Sequence, residues 1–273
     1  MPPALPAFHS REQSFSMNFE LALIDMDGTI YSGETRIDGV NNALKFLEEH
    51  GVEVFFLTNY AGREREAYSE KLEKIGVKAS SEDVVTSGWL TAKYIAQNFP
   101  EAEVFVLGEK DLEEELINQD IKVVENCDNP EVLVVSNKHD LRYEELKKVL
   151  QGVDEETQVL GTNPDETIPG ENGEIPGAGT IIKAVETMTG KKVKIIGKPS
   201  KNAVETVTEM KNVSPESCVM IGDRLNTDIL MAEENGMESV LVLSGVSSEE
   251  TVKNSDISPD HVLDSISDVH KIL

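Results

Sequence analysis

Residues 20–31 read ELALIDMDGTIY, and no other stretch restricts the fold so tightly. Leu21-Ala22-Leu23-Ile24 is an apolar run without alternation, the pattern of a strand buried on both faces of a parallel sheet. The run stops at Asp25, a second carboxylate follows at Asp27, and Gly28 permits a sharp turn. Acids at i and i+2 just past a buried strand lie where α/β sheets concentrate their chemistry. Burying them unpaired would cost on the order of several kcal/mol, so a cation or an open cleft is implied. In isolation the same residues also suit a plain strand-end turn, where Asp and Gly are common.

The pattern then repeats. Apolar residues at 40, 43, 44 and 47 predict a helix that stops at Gly51, and Val52–Leu57 reads as a strand ending at Thr58-Asn59. A charged helix over 63–75 closes at Gly76. From about residue 84 the alternation starts again: helix 89–99, strand 104–107, helix 110–119, strand 132–135, helix 141–150 and a short strand at Val159-Leu160. The irregular segment GTNPDETIPGENGEIPGAG, residues 161–179, reads as a functional loop or a hairpin excursion. A helix over 180–189 follows. The last third predicts strands at 193–196, 218–221 and 239–243, with helices at 202–210 and 227–234. Such alternation predicts an α/β fold with parallel sheets.

Of the 273 residues, 51 are acidic and 25 basic, a formal charge of −26. So acidic a surface repels nucleic acid and anionic membranes, and no apolar run approaches the length of a membrane span. Self-repulsion of this size predicts a protein that tolerates or needs salt, as in a salt-adapted cytosol. Lysines outnumber arginines 19 to 6, which argues against the strongest form of that idea. A melting temperature that falls steadily with added salt would remove it. Residues 1–16 lack the charge and apolar pattern of a signal peptide and read as a loose tail, with Met17 as an alternative start. Cys127 and Cys218 show no metal-ligand spacing and read as two reduced, buried thiols, which fits the cytoplasm.

Four expected strand ends carry polar residues: Asp25/Asp27, Thr58/Asn59, Lys198 and Asp223/Asp228. In a parallel sheet all four can meet on one edge. Carboxylates are hard oxygen ligands for Mg²⁺, while a lysine and an amide bind phosphate oxygens. Each piece has a simpler reading. Thr58-Asn59 could cap a helix, Lys198-Pro199-Ser200 could be a solvated turn, Asp223-Arg224 a surface ion pair, and Asp228 a first-turn helix acid. Together those readings require four coincidences, each at a strand end.

DMDGTIY, LTN, GKPS and GDRLNTD resemble, in order, the four motifs of the haloacid dehalogenase (HAD) phosphatase superfamily. About 140 residues separate the second and third motifs, and this insertion resembles the α/β cap of subclass IIA, the NagD-like and p-nitrophenylphosphatase group. TNPDETIP and PGAGTIIKAVETMTGKK are similar to that group's cap signatures. The resemblance implies a Rossmann-like core over 17–83 and 191–273 with an inserted cap over 84–190. It implies Asp25 as nucleophile, Asp27 as general acid and then base, and Mg²⁺ on Asp25, the Asp27 carbonyl and Asp223. Asp228 would hold Lys198 or a metal-bound water. Phosphate would meet Met26, Asp27, Thr58, Asn59 and Lys198. Dehalogenase members lack the carboxylate two residues on, because halide leaves without a proton, so Asp27 points to phosphoryl transfer.

The family often has small polar residues after the Asn59 position, whereas Tyr60-Ala61-Gly62 follows here. Tyr60 is therefore expected to face the leaving group. Asn163 and Asp165, in the 161–179 segment, are expected to read the substrate, with Asp165 suited to a sugar, polyol or nucleoside hydroxyl. The implied activity is Mg²⁺-dependent hydrolysis of small phosphate monoesters, with no nucleic-acid or membrane partner. A phosphotransferase or mutase on the same fold, or a non-enzymatic phosphometabolite-binding protein, is the alternative. Relatives form homo-oligomers through the cap, which sets the same expectation here.

Overall fold

A computed structural model describes residues 19–170 and 173–272. The expected tail over 1–16 lies outside the described residues. Leu21–Asp25 is a strand with all five residues buried. It pairs in parallel with Glu53–Thr58 on one side and Cys218–Gly222 on the other. That central place explains the run without alternation. Leu21 and Leu23 face one apolar cluster with Phe55, Leu57 and Met220, while Ala22 and Ile24 face another with Val40, Ala43 and Leu47. Both faces of the strand are dry, so both sets of residues must be apolar.

The first sheet has six strands in the order 261–263, 238–242, 218–222, 21–25, 53–58 and 84–86, every pairing parallel. A second parallel sheet has five, in the order 194–195, 158–161, 132–135, 103–107 and 122–123. The irregular segment contains an antiparallel hairpin, Thr167–Gly170 against Gly173–Pro176. Helix Ser87–Asn98 lies between the sheets, and Trp89, Leu90 and Ile95 share one apolar cluster with Leu23 and Val85 of the first and Val104, Val134 and Leu160 of the second.

Sheet membership departs from the sequence expectation at two places. Val84–Thr86 pairs with Glu53–Thr58 and completes the first sheet. The strand before Lys198, Lys194–Ile195, pairs with Gln158–Gly161 in the second sheet. Lys198 therefore does not end a strand of the sheet that carries Asp25. Both strands are two or three residues long, too short for periodicity to assign a partner. The helix expected over 227–234 is also divided: a π-helical turn, Leu225–Ile229, precedes helix Leu230–Asn235.

Candidate active site

The parallel register places Asp25 opposite Leu57 and Ile24 opposite Ile221. Asp25, Thr58 and Asp223 thus emerge on one edge of the first sheet, at the carboxyl ends of neighbouring strands. Lys198 arrives from the second sheet. Gly197 makes that crossing possible: a Cβ there would lie 2.6 Å from the Thr162 carbonyl oxygen and 2.7 Å from Asn59 Oδ1. Its own N–H donates to that carbonyl at 2.9 Å.

The Lys198 ammonium donates to the Asp25 carboxylate, lies 2.7 Å from Asp228 Oδ1, and reaches the Leu57 carbonyl at 3.4 Å. The second Asp228 oxygen accepts the Arg224 backbone N–H at 3.0 Å. Asp223 Oδ2 accepts the Val246 N–H at 2.6 Å, while Asp223 Oδ1 is buried without a hydrogen-bond partner. Gly28, at φ +84°, turns the chain under Asp223, and a Cβ there would stand 2.4 Å from Asp223 Oδ2.

Asp25 is 9% exposed, Asp223 1%, Asp228 0% and Lys198 2%. Three buried carboxylates against one ammonium leave negative charge in excess. Burial raises the Asp25 carboxyl well above its usual range; Lys198 pulls it back, and Asp228 and Asp223 push it further up. Burial, aided by Asp228, raises Asp223 to about 6. Burial alone would lower Lys198, but Asp228 and Asp25 outweigh it and hold the ammonium charged. Asp27 is the exposed member of the opening pair. Its carboxyl is still raised by partial burial in the cleft, with Lys71 and Arg224 opposing.

These residues fit a divalent cation with oxygen ligands. Single carboxylate oxygens of Asp25, Asp223 and Asp228 lie within 4.8 Å of one another, and Asp223 Oδ1 has a vacant bonding capacity. Asp228 is the weakest ligand of the three, because its two oxygens already serve Lys198 and the Arg224 amide.

The remaining sequence candidates divide. Asn59 Nδ2 donates to Asp165 Oδ2 and to the Lys198 carbonyl, both at 3.1 Å, so it ties the second sheet to the lysine loop. Thr58 Oγ1 accepts the Tyr60 N–H at 3.2 Å. The Met26 side chain is wholly buried in the core, so only its backbone can serve a ligand. Tyr60 packs partly into the core with its hydroxyl beside Asn137, across from the second sheet. Asn163, expected to read the substrate, is 3% exposed. Its amide donates to the Asn59 carbonyl at 2.7 Å, and its oxygen accepts the Asp165 N–H at 3.1 Å. Asn163 is thus a latch that sets Asp165 against Asn59 and has no free polar group for a ligand. Asp165 itself stays at the cleft, and burial raises its carboxyl against the pull of Arg224 and Asn59.

One part of the site escaped sequence reasoning. The segment after strand Glu238–Val242 folds over the acids: Ser244 Oγ donates to the Gly28 carbonyl at 2.7 Å, and the Val246 amide holds Asp223. The signal was a Ser-Gly pair at a strand end, too common a turn to single out.

Similarity to known proteins agrees with this geometry. The sequence model of the haloacid dehalogenase-like hydrolases matches residues 22–122, and a HAD-hydrolase-like model matches residues 195–269. An acid sugar phosphatase of Staphylococcus aureus is 33% identical over 243 residues, 89% of this chain and 93% of its own length. The chain belongs to the haloacid dehalogenase-like hydrolases. The p-nitrophenyl phosphatase from Archaeoglobus fulgidus superposes with TM-score 0.88 at 31% identity, covering 94% of this chain and 100% of that one. A glycerol phosphate phosphatase from Mycobacterium tuberculosis, solved in complex with magnesium, gives TM-score 0.84 at 27% identity, with 91% and 75% covered. The likeness spans both sheets, as subclass IIA of the HAD superfamily requires. The protein is an enzyme, a HAD-type phosphatase. Among the described residues no helix is long and apolar enough to cross a membrane.

Proposed function

We propose that the protein hydrolyses small phosphate monoesters, of the sugar, nucleotide or glycerol type, through an aspartyl-phosphate on Asp25 with Mg²⁺ as cofactor. The observation that carries this reading is the pairing of Asp25 with the buried Lys198 ammonium, beside an Asp223 oxygen that has no partner. Asp25, the Asp27 carbonyl and Asp223 would hold the Mg²⁺. When bound, it supplies positive charge that lets a carboxylate approach a phosphate dianion.

The protein's own groups account for the rest. An Asp25 oxygen attacks phosphorus, and the bond from phosphorus to the ester oxygen breaks as that oxygen takes the Asp27 proton. Asp27, now a carboxylate, takes a proton from water. The water oxygen attacks the same phosphorus, the bond to Asp25 breaks, and inorganic phosphate leaves. The raised Asp27 carboxyl supports this exchange, because a group that both gives and takes a proton works best when its proton affinity is near the operating pH. Lys198 balances charge on Asp25 and phosphate, with Asp228 holding it in place. The Thr58 hydroxyl serves the phosphoryl oxygens, whereas the side-chain amide of Asn59, spent on Asp165 and the Lys198 carbonyl, positions the lysine loop. The unit built on the second sheet, which begins after Val84–Thr86 and runs through Lys194–Ile195 rather than spanning 84–190, acts as the cap that reads the leaving group. The buried thiols Cys127 and Cys218 fit a reducing compartment, and we assign the protein to the cytoplasm.

The test is Asp25→Asn assayed with p-nitrophenyl phosphate and a panel of phosphate esters in Mg²⁺. Turnover is expected to vanish while the melting temperature holds. Wild-type rates in the folded variant would remove the mechanism.

A further inference from the structure

Beside the reaction centre lies a second chamber of about 680 Å³, between the hairpin end of the second sheet and the segment that follows Gly222. Its walls include Asp165, Glu166, Pro199, Arg224, Asn226 and Glu234, and among the described residues Arg224 is its one cation. Asp25, Asp27 and Asp223 are not among its lining residues, while Arg224, next in the chain after Asp223, is.

The two walls of the chamber are each fixed to the Lys198 clamp. The Arg224 N–H donates to Asp228 Oδ2 at 3.0 Å, and the Arg224 carbonyl accepts from the N–H groups of Asp228 and Ile229 at 3.1 and 3.2 Å. Asp228 is the acid that holds Lys198. Across the chamber, Asp165 is bonded to Asn59 Nδ2, which also donates to the Lys198 carbonyl. A group held between Arg224 and Asp165 is therefore held at a set place relative to the phosphate clamp.

The Arg224 guanidinium makes no hydrogen bond or ion pair among the described residues; only its backbone is engaged. The surface ion pair with Asp223 that the sequence allows is not formed. In a chain with 51 acidic and 25 basic residues, an arginine facing a half-buried acid and paired with none is a vacant recognition element. It lines the chamber, directly follows Asp223 in the chain and is bonded through its backbone N–H to Asp228, which sets it at the junction of chamber and reaction centre.

Guanidinium can only donate hydrogen bonds, and an ionised carboxylate can only accept them. A ligand group that satisfies both must accept and donate, as hydroxyls do. A second carboxylate or phosphate would satisfy Arg224 but meet Asp165, Glu166 and Glu234. We propose that Arg224 is a specificity-determining residue that, with Asp165, forms a subsite for a vicinal diol on the alcohol part of the substrate. The proposal rests on the phosphatase reading above.

The test compares glycerol 1-phosphate, which carries the diol, with propyl phosphate, which lacks it, in wild type, Arg224→Met and Arg224→Lys. Wild type is expected to prefer the diol ester in kcat/KM. Arg224→Met should lower that preference by about ten- to a hundredfold, mainly through a higher KM for the diol ester, as expected on losing charged hydrogen bonds. Arg224→Lys should restore part of it. Equal loss for both esters, or no diol preference in wild type that does hydrolyse p-nitrophenyl phosphate, overturns the subsite and leaves the phosphatase reading standing. Failure of wild type on all three esters in Mg²⁺ overturns both. Should Arg224→Met not fold, competitive inhibition of wild-type p-nitrophenyl phosphate hydrolysis reads the same preference. A lower inhibition constant for the diol ester supports the proposal, and equal constants overturn it.

Discussion

Lys198 Nζ stands 2.7 Å from Asp228 Oδ1 while it also donates to Asp25, so one ammonium from the second sheet joins two acids of the first. The pairing is almost wholly removed from water, with Lys198 2% and Asp228 0% exposed. A buried charge that loses its partner cannot turn to solvent.

Lys198→Met is therefore expected to destabilise the fold as well as abolish turnover. Breaking one side of a buried pair costs about 3–5 kcal/mol. Chemical denaturation should show a loss of that order, and adding Asp25→Asn to the same chain should recover part of it. A single variant as stable as wild type would show that Asp25 and Asp228 tolerate burial without the lysine.

Mg²⁺ should raise the melting temperature. Binding to the native state alone adds about 2.7 kcal/mol at a hundred times the dissociation constant. Differential scanning fluorimetry with Mg²⁺ and with EDTA reads the shift. In Asp223→Asn the shift should shrink or vanish, because the partnerless Oδ1 belongs to that residue. An unchanged shift in the variant would place the metal elsewhere.

Gly245→Ala should damage the site without touching a reacting group. A Cβ at Gly245 would lie 1.9 Å from Asp223 Oδ2, the oxygen that accepts the Val246 amide. The loop or the carboxylate must shift. Mg²⁺ titrations of activity should show at least about a tenfold weaker half-saturation, the scale expected when a metal ligand loses its support.

The thiols Cys127 and Cys218 should react slowly with a disulfide reagent at neutral pH, and fully only after unfolding. Burial raises both to about 11, with Asp128 adding to the shift at Cys127 and Glu20 at Cys218. An unfolded cysteine titrates near 8.5. Between those values the unfolded chain loses thiol protons that the native chain keeps, so unfolding is favoured as pH rises through that window. Urea midpoints at pH 7 and pH 9.5 should fall further apart in wild type than in Cys127→Ala/Cys218→Ala. Parallel falls would mean that the thiols titrate alike in both states.

The central strand, the order of alternating elements and the acids Asp25, Asp27, Asp223 and Asp228 are legible in the amino-acid sequence. The physical reason is local. A strand dry on both faces must be apolar at every position, and a polar residue ending such a run announces the sheet edge. The rest of the site depends on groups far apart in the chain. The route of Lys198 from the second sheet rests on a two-residue strand whose pairing no periodicity encodes. Asn163 reads as an exposed loop amide until Asn59, 104 positions away, proves to be its partner. The Ser244–Val246 segment becomes part of the site only because strand Glu238–Val242 lies next to Cys218–Gly222. Arg224 looks like half of an ion pair with its neighbour until the π-helical turn of residues 225–229 brings Asp228 back to its backbone and leaves its side chain facing Asp165. Hydrophobic pattern is written along the chain, but hydrogen-bond partners are chosen by how the sheets pack.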